Sequence, residues 1–384
     1  MTRIVPPGST IGIFGGGQLG RMTSMAARAL GYHIRILDPD PECAARPVAD
    51  GVVTAGFDDP LGAAELARAS DVVTLEIEKI APASLRAAAL YAPVRPDAHV
   101  IEIVQDRGRQ KRWLAEHGFP MGAYRDVHSA GQLATAVTEL DGAVFVKSCA
   151  GGYDGRGQAL VDSPDYAHAA WRAIGGGPAV AERAQDLELE LSVMVARAPN
   201  GEMVVFPPAV NHHEDRILVW SVLPGVLPPE IISQATDLSC AIADQIGLEG
   251  LLAVELFLLR DGALLVNELA PRPHNSFHAT ERACVTSQFE QHVRSVCGLP
   301  LGSTEIVTPA AIVNLLGDLW NDGPPRFERA LRLPGVRLHL YGKTGARPGR
   351  KMGHLSAMGA TPQEAVTRAQ EAMALLHAPV RSPA

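Results

Sequence analysis

The chain has 384 residues, 47% of them hydrophobic and 20% charged, with a formal net charge of −8. That length holds two or three domains with sizeable cores, and an acidic balance without a basic stripe argues against a nucleic-acid partner. No apolar run reaches the roughly 18 residues of a membrane-crossing helix, MTRIVPPGST lacks the apolar stretch of a secretory leader, and five cysteines without a C-x-x-C pair (Cys43, Cys149, Cys240, Cys284, Cys297) point to free thiols in a reducing cytoplasm.

The first hundred residues alternate apolar runs with helical stretches. IGIF predicts a strand, and GGGQLG turns into a helix over 18–30 that stops at Gly31. HIRIL, GVVTAG and DVVTLE predict further strands, with a helix over 61–69 before the last of them. Such a β-α-β-α-β series makes a parallel sheet. After PVRPDAHVIEIVQDR the pattern changes, and the helix QKRWLAEHG leads through FPMGAY to something new. There AVFVKS predicts a strand, CAGGYDGRG a glycine loop, QALVD a strand, 165–173 a helix, and AVAER and LELELSVMVA two strands. Beyond them come a strand in MVVFPP, a helix over 229–246, a hairpin over 253–268 and a helix over 280–297. The tail holds strands in IVNLL, VRLHLY and KMGHLSA. It closes on a helix with a capping box: Thr361 as N-cap, Pro362 at the first position, Glu364 at the third.

Four stretches carry chemistry. In the opening turn, Gly15, Gly17 and Gly20 fit the G-x-G-x-x-G fingerprint, with Asp38 at the end of the next apolar run. Such a turn holds a phosphate at a helix N-terminus, whether of a dinucleotide with Asp38 on its ribose or of another ligand. In LLAVELFLLRDGALLVNELAPRPHN, Asp261-Gly262 predicts a two-residue hairpin turn. The register that follows sets Arg260 opposite Ala263 and Glu255 opposite Glu268. Facing carboxylates repel, so a divalent cation such as magnesium is the most direct compensation. Neutralisation by Arg272 or Arg282, or protonation, is the other reading. In VFVKSCAGGYDGRGQALV, Lys147 ends a strand ahead of Gly151, Gly152, Gly155 and Gly157, a loop able to lay backbone N–H groups against phosphate. Last, Lys343, Arg347, Arg350 and Lys351 cluster in YGKTGARPGRKMGH, either as an anion-binding loop or as a solvated turn. His212-His213 and His274-x-x-x-His278 lack the glutamate of H-E-x-x-H and read more readily as structural.

Together these pieces resemble the ATP-grasp enzymes. The stretches GGGQLGRM (15–22), QDRGRQK (105–111), GGYDGRGQ (151–158), NELAPRPHNS (267–276), SQFEQH (287–292) and RPGRKMGHL (347–355) narrow the resemblance to the N5-carboxyaminoimidazole ribonucleotide synthetases of purine biosynthesis. The resemblance implies an α/β and α+β chain with an ATP-grasp fold: a Rossmann-like parallel-sheet domain over 1–105, a linker and small lid over 106–185, and a body with the C-terminal segment over 186–384. It also implies a carbon–nitrogen ligase that uses ATP and Mg2+ (or Mn2+), works in the cytoplasm and forms a homodimer, with no nucleic-acid or membrane partner.

On the same ground, the opening turn takes the 5′-phosphate of 5-aminoimidazole ribonucleotide rather than NAD, through Gly17, Gln18 and Leu19. Glu76 touches that ribonucleotide, and Lys343, Arg350 and Lys351 complete its phosphate site. ATP falls to Arg107, Lys147, the loop Gly152, Tyr153, Asp154, Gly155, Arg156, Gly157 and Gln158, then Glu182, Arg183, Ala184 and Gln185 around adenine, Glu190 at the ribose, and His213. Glu255, Asn267 and Glu268 hold the metal. Bicarbonate attacks the γ-phosphate, carboxyphosphate releases carbon dioxide, and the exocyclic amine captures it. Lys147 and Arg272 offset charge, while Tyr153, Asp154, Arg156, His274 and Asn275 orient the reactants. Two positions depart from the family pattern. Ala150 stands where Thr is usual, and Phe277 stands where Gly is common and would either narrow the pocket or repack the turn. Rival readings are a formate-dependent glycinamide ribonucleotide transformylase, a biotin carboxylase, a non-catalytic ATP-binding regulator, or an NAD-dependent oxidoreductase built on GGGQLG.

Overall fold

A computed structural model describes residues 4–150 and 157–376. Strands β1 (Thr10–Phe14), β2 (His33–Asp38), β3 (Gly51–Thr54) and β4 (Val72–Leu75) form a parallel sheet in the order β3-β2-β1-β4. Its connections are α1 (Gln18–Ala29) and α2 (Pro60–Arg68), followed by α3 (Pro82–Ala89) and α4 (Ala98–Val104). Central β1 is apolar on both faces, as a sheet covered on both sides requires, and Ile11, Ile13 and Phe14 are fully buried.

Helix α5 (Arg107–Glu116) begins at Asp106, whose carboxylate accepts from the Arg109 N–H at 2.8 Å. A small antiparallel sheet follows, ordered β5-β8-β6-β7 from β5 (Tyr124–Val127), β6 (Val144–Ser148), β7 (Gln158–Val161) and β8 (Ala179–Arg183). Helices α6 (Ala130–Glu139) and α7 (Ala167–Ala173) cover it, and Leu133, Val144, Val146 and Ile174 fill its own core.

The large sheet is built from β9 (Leu187–Arg197), β10 (Met203–Val205), β11 (Ala209–Glu214), β12 (Ile217–Leu223), β13 (Gly250–Leu259), β14 (Leu264–Ala270), β15 (Ala310–Leu316), β16 (Val336–Leu340) and β17 (Lys351–Met358). Its order is β14-β13-β9-β11-β12-β15-β17-β16, with β10 paired to β9 and every pairing antiparallel. Helix α8 (Pro229–Gln245) packs on it near β9, and α9 (Thr280–Ala283), α10 (Gln288–Cys297), α11 (Phe327–Ala330) and α12 (Pro362–Leu375) complete the body.

Four local expectations are corrected. The hairpin β11–β12 was not foreseen: its sequence NHHEDRILVW is polar, and its turn uses Asp215 (φ 47°) and Arg216 (φ 67°), left-handed residues without the usual glycine. The helix predicted over 280–297 is two helices. Val285 and Thr286 instead bond as extended chain to the carbonyls of Glu305 and Ser303, and Ser287 caps α10 by accepting the Glu290 N–H at 3.2 Å. The capping box of α12 is half made, because Thr361 accepts the Glu364 N–H at 3.1 Å but Glu364 takes the N–H of Ala360.

The fourth correction bears on the site. The turn after β13 is a three-residue loop, Arg260 to Gly262, closed by Leu259 and Ala263, with Gly262 at φ 86°. That shifts the register by one residue: Leu258 faces Leu264 and Leu256 faces Val266. A bulge at Asn267 takes up the extra residue, so Glu255 faces Glu268 after all.

Candidate active site

A cleft of about 1380 Å3, rich in charged side chains, runs between the parallel-sheet domain, the small sheet and the large sheet. The bulged hairpin supplies its centre. Glu268 pairs with Arg107 at 3.0 Å. Burial would raise the Glu268 carboxyl, but Arg107 and then Lys147 outweigh it and hold it below the usual range. Among the described residues no arginine forms an ion pair with Glu255. Burial and the facing Glu268 push it up to about 7, and His274 Nε2 lies 3.2 Å from it. Arg107 is the ion-paired cation, Arg272 adds to the lowering of Glu268 through its charge without pairing to it, and Arg282 takes no part. Arg272 Nε binds Glu78 at 2.8 Å, and Arg282 reaches the sulfur of Met358.

The bulge also turns Asn267 into the cleft. Its Nδ2 donates to Glu255 at 3.4 Å, while its Oδ1 is buried without a partner among the described residues. A partnerless buried acceptor costs roughly 1–3 kcal/mol. Set between two carboxylates, it completes an all-oxygen donor set that fits a hard divalent cation.

The floor toward the small sheet is a second charge cluster. Lys147, one residue before the end of β6, and Lys111, on α5, each approach Glu182 Oε2 at 3.2 Å. Burial opposes ionisation of Glu182, but Lys147, Lys111 and Arg107 hold it down at about 2. Its Oε1 is buried with no partner among the described residues. Arg183, Ala184 and Gln185 continue from it along the link into β9, where Gln185 Nε2 donates to the Arg183 carbonyl at 2.9 Å. Glu190 meets His213 Nδ1 at 3.0 Å; that contact overcomes the effect of burial and raises the imidazole. Gln158 pairs with Lys147, and Gly157 accepts the Ser148 N–H at 2.8 Å. Gly152, Tyr153, Asp154, Gly155 and Arg156 lie outside the described residues.

The glycine turn closes the other end. Glu76, at the end of β4, accepts the N–H of Gly17 at 2.6 Å and of Gly20 at 2.7 Å. Its carboxylate sits against the positive end of α1. Only glycine permits this approach, since a Cβ on Gly17 would lie 2.4 Å from Glu76 Oε1. Asp38, the candidate ribose acid, accepts the Gly16 N–H at 2.7 Å and the Asp40 N–H at 2.9 Å, and so braces the turn. With the Gly17 N–H engaged, Gln18 and Leu19 supply the first-turn donors facing the cleft.

The tail loop joins here. Lys343 Nζ donates to Gln18 Oε1 at 2.6 Å and to the Lys351 carbonyl at 2.9 Å. Arg350 ties down the carbonyls of Thr344 and Gly345, and with Arg347 and Lys351 it lines the cleft.

Asn275 is buried at the cleft edge with both side-chain polar atoms unpartnered among the described residues. Burial, and Arg272 after it, hold His274 well below its usual pKa, so it stays neutral. Phe277 is fully buried against Phe206, 6.1 Å between ring centroids, and does not line the cleft. It repacks the turn and does not narrow the pocket.

Sequence reasoning missed Lys111, Glu78 and Arg216. Lys111 stood inside a quoted motif and its role shows only where α5 meets β8. Glu78 belongs to no spacing pattern. Arg216, whose Nη1 donates to the Gln158 carbonyl at 3.0 Å, sits on the unforeseen hairpin.

A parallel-sheet domain preceding two antiparallel sheets, with lysine, arginine and paired glutamates converging between them, defines an ATP-grasp protein. Residues 112–289 match the ATP-grasp domain, 9–105 the ribonucleotide synthetase preATP-grasp domain, and 310–368 the phosphoribosylaminoimidazole carboxylase C-terminal domain. The chain is 40% identical over 359 residues to the N5-carboxyaminoimidazole ribonucleotide synthase of Bacillus subtilis, covering 93% of each. It superposes on the ADP complex of an N5-carboxyaminoimidazole ribonucleotide synthetase with a TM-score of 0.91 and 40% identity, covering 97% of this chain and 98% of the other. The Aspergillus clavatus N5-carboxyaminoimidazole synthase, in complex with ADP and 5-aminoimidazole ribonucleotide, is 31% identical at a TM-score of 0.88, with 96% and 98% covered. The chain belongs to the N5-carboxyaminoimidazole ribonucleotide synthase family of ATP-dependent ligases.

Proposed function

We propose that this chain couples cleavage of ATP to carboxylation of the exocyclic amine of 5-aminoimidazole ribonucleotide by bicarbonate. One observation carries the reading. A single cleft joins the Glu255–Glu268 pair and its surrounding cations to the glycine turn and the basic tail loop. Two anionic ends of two substrates then have separate, facing sites.

The roles follow from position. Lys147, Arg107 and the loop from Gly152 to Gln158 hold the ATP phosphates, with His213 beside them. Glu182 turns its free Oε1 to the adenine amino group, with Arg183, Ala184 and Gln185 alongside, and Glu190 takes the ribose. Gln18 and Leu19 donate to the ribonucleotide phosphate, next to Gly17, with Lys343, Arg350 and Lys351 as counter-charges and Glu76 near the sugar. Glu255, Asn267 and Glu268 would hold Mg2+, or Mn2+ in its place. When bound, the ion neutralises charge on the phosphate oxygens during transfer.

Bicarbonate attacks the γ-phosphorus, and ADP departs with the electron pair of the broken P–O bond. Lys147 and Arg272 offset the charge that spreads over the equatorial oxygens. Carboxyphosphate loses phosphate to give carbon dioxide, which the amine captures as a carbamate with loss of one proton. Asn275, neutral His274, Tyr153, Asp154 and Arg156 orient these steps, and exclusion of water protects the intermediate. The division at residues 105 and 185, a homodimer and a cytoplasmic location complete the proposal on the strength of the family resemblance.

The test is ADP release from ATP, Mg2+ and bicarbonate, with and without the ribonucleotide. Strong stimulation, reduced at least about a hundredfold in Glu268→Gln, supports the reading. Stimulation only by glycinamide ribonucleotide with formate, or by biotin, moves the substrate and overturns it.

A further inference from the structure

Away from the cleft, Glu281 of α9, His339 of β16 and His354 of β17 each bring one ligand-type atom within 4.8 Å of the other two. His339 and His354 face each other across the β16–β17 pair, their rings stacked at 5.2 Å and 8°. The ring of His354 is fixed from two further sides: Tyr341 Oη lies 2.9 Å from its Nδ1, and His278 stacks on it at 4.8 Å. A metal-ligating histidine commonly has its other nitrogen held in this way. Glu281 is exposed, and a cavity of about 260 Å3 opens in front of Glu281 and His339. None of the three lines the nucleotide cleft.

We propose that Glu281, His339 and His354 form a second metal site, one that takes Zn2+. Two imidazoles and one carboxylate suit zinc, whereas Mg2+ prefers oxygen ligands. Tetrahedral bonds of about 2.0 Å place ligand atoms roughly 3.3 Å apart, so the set must draw in by at most about 1.5 Å. The half-buried His339 ring must turn out of its stack on His354, because two parallel rings cannot both aim an in-plane lone pair at one ion; with that turn and rotation of the exposed Glu281 side chain the set closes, and the cavity in front of them leaves the fourth position to water. The ion would clamp α9, which follows the His274–His278 loop, to the strand that begins at Lys351.

The test is dialysis of the full chain against micromolar Zn2+ in excess Mg2+ and ADP, which occupy the cleft, with zinc then measured by elemental analysis. One zinc per chain is expected. Glu281→Gln and His339→Ala, which alter the ligands themselves, should each weaken binding by at least the roughly 10- to 100-fold that loss of an outer-shell partner costs, with an unchanged circular dichroism spectrum. Both replaced residues lie at the surface side of the cluster, so loss of the buried core does not confound the result. Absence of zinc from the unmodified chain, or wild-type affinity in both variants, overturns the proposal.

Discussion

Glu255 and Glu268 are the same residue type on facing positions of one hairpin, yet their charges diverge. Arg107 reaches Glu268 and leaves Glu255 to bear burial and repulsion together. The raised group destabilises the metal-free protein as pH climbs from about 4.5 to about 7 and its proton is lost. Glu182 behaves oppositely: held down at about 2, it contributes stability above about 4.5 that is lost as pH falls toward 2. A cation at Glu255 must displace that carboxyl's proton. Affinity for Mn2+, read by electron paramagnetic resonance, should therefore rise between pH 6 and pH 8, by up to about tenfold per unit below the carboxyl's pKa. A flat profile would remove Glu255 from the metal site.

At the scale of elements, the hairpin shows why spacing alone succeeds or fails. The alternation of apolar residues in both strands and the Asp-Gly pair were legible. The loop of three residues was not, and neither was the bulge at Asn267 that restores the register. Both depend on how β14 meets the rest of the sheet: Met121 bridges to Val266, and Gln110 reaches Leu269 from α5. The short 3-10 turn Asn275–Phe277 after β14 places Phe277 inward, among Met194, Leu251 and Ile312. Phe277→Ala should cost about 3–5 kcal/mol of stability while leaving the KM for the ribonucleotide unchanged. A raised KM with little loss of stability would return Phe277 to the pocket.

Across the whole molecule, segments far apart in the chain meet where Lys343 Nζ donates to Gln18 Oε1, the end of the cleft proposed to hold the ribonucleotide phosphate. A charge-assisted contact is worth about 1.5–3 kcal/mol, so Lys343→Met should raise the KM for the ribonucleotide about tenfold or more and leave ADP affinity as it was. Weakened ADP binding in calorimetry would count against two separate anion ends.

The sequence by itself determined the parallel βα series, the glutamate hairpin, the lysine at the glycine loop and, through motifs in order along the chain, the family. Those features are local periodicities or short spacings, and they survive without knowing what packs on them. Tertiary structure decided the rest: that Glu76 takes the N–H groups of Gly17 and Gly20, that Arg107 pairs with Glu268, that Lys111 shares Glu182, and that Glu281, His339 and His354 converge. Each is a contact between distant segments, set by burial and charge once the sheets are stacked. No spacing along the chain encodes it.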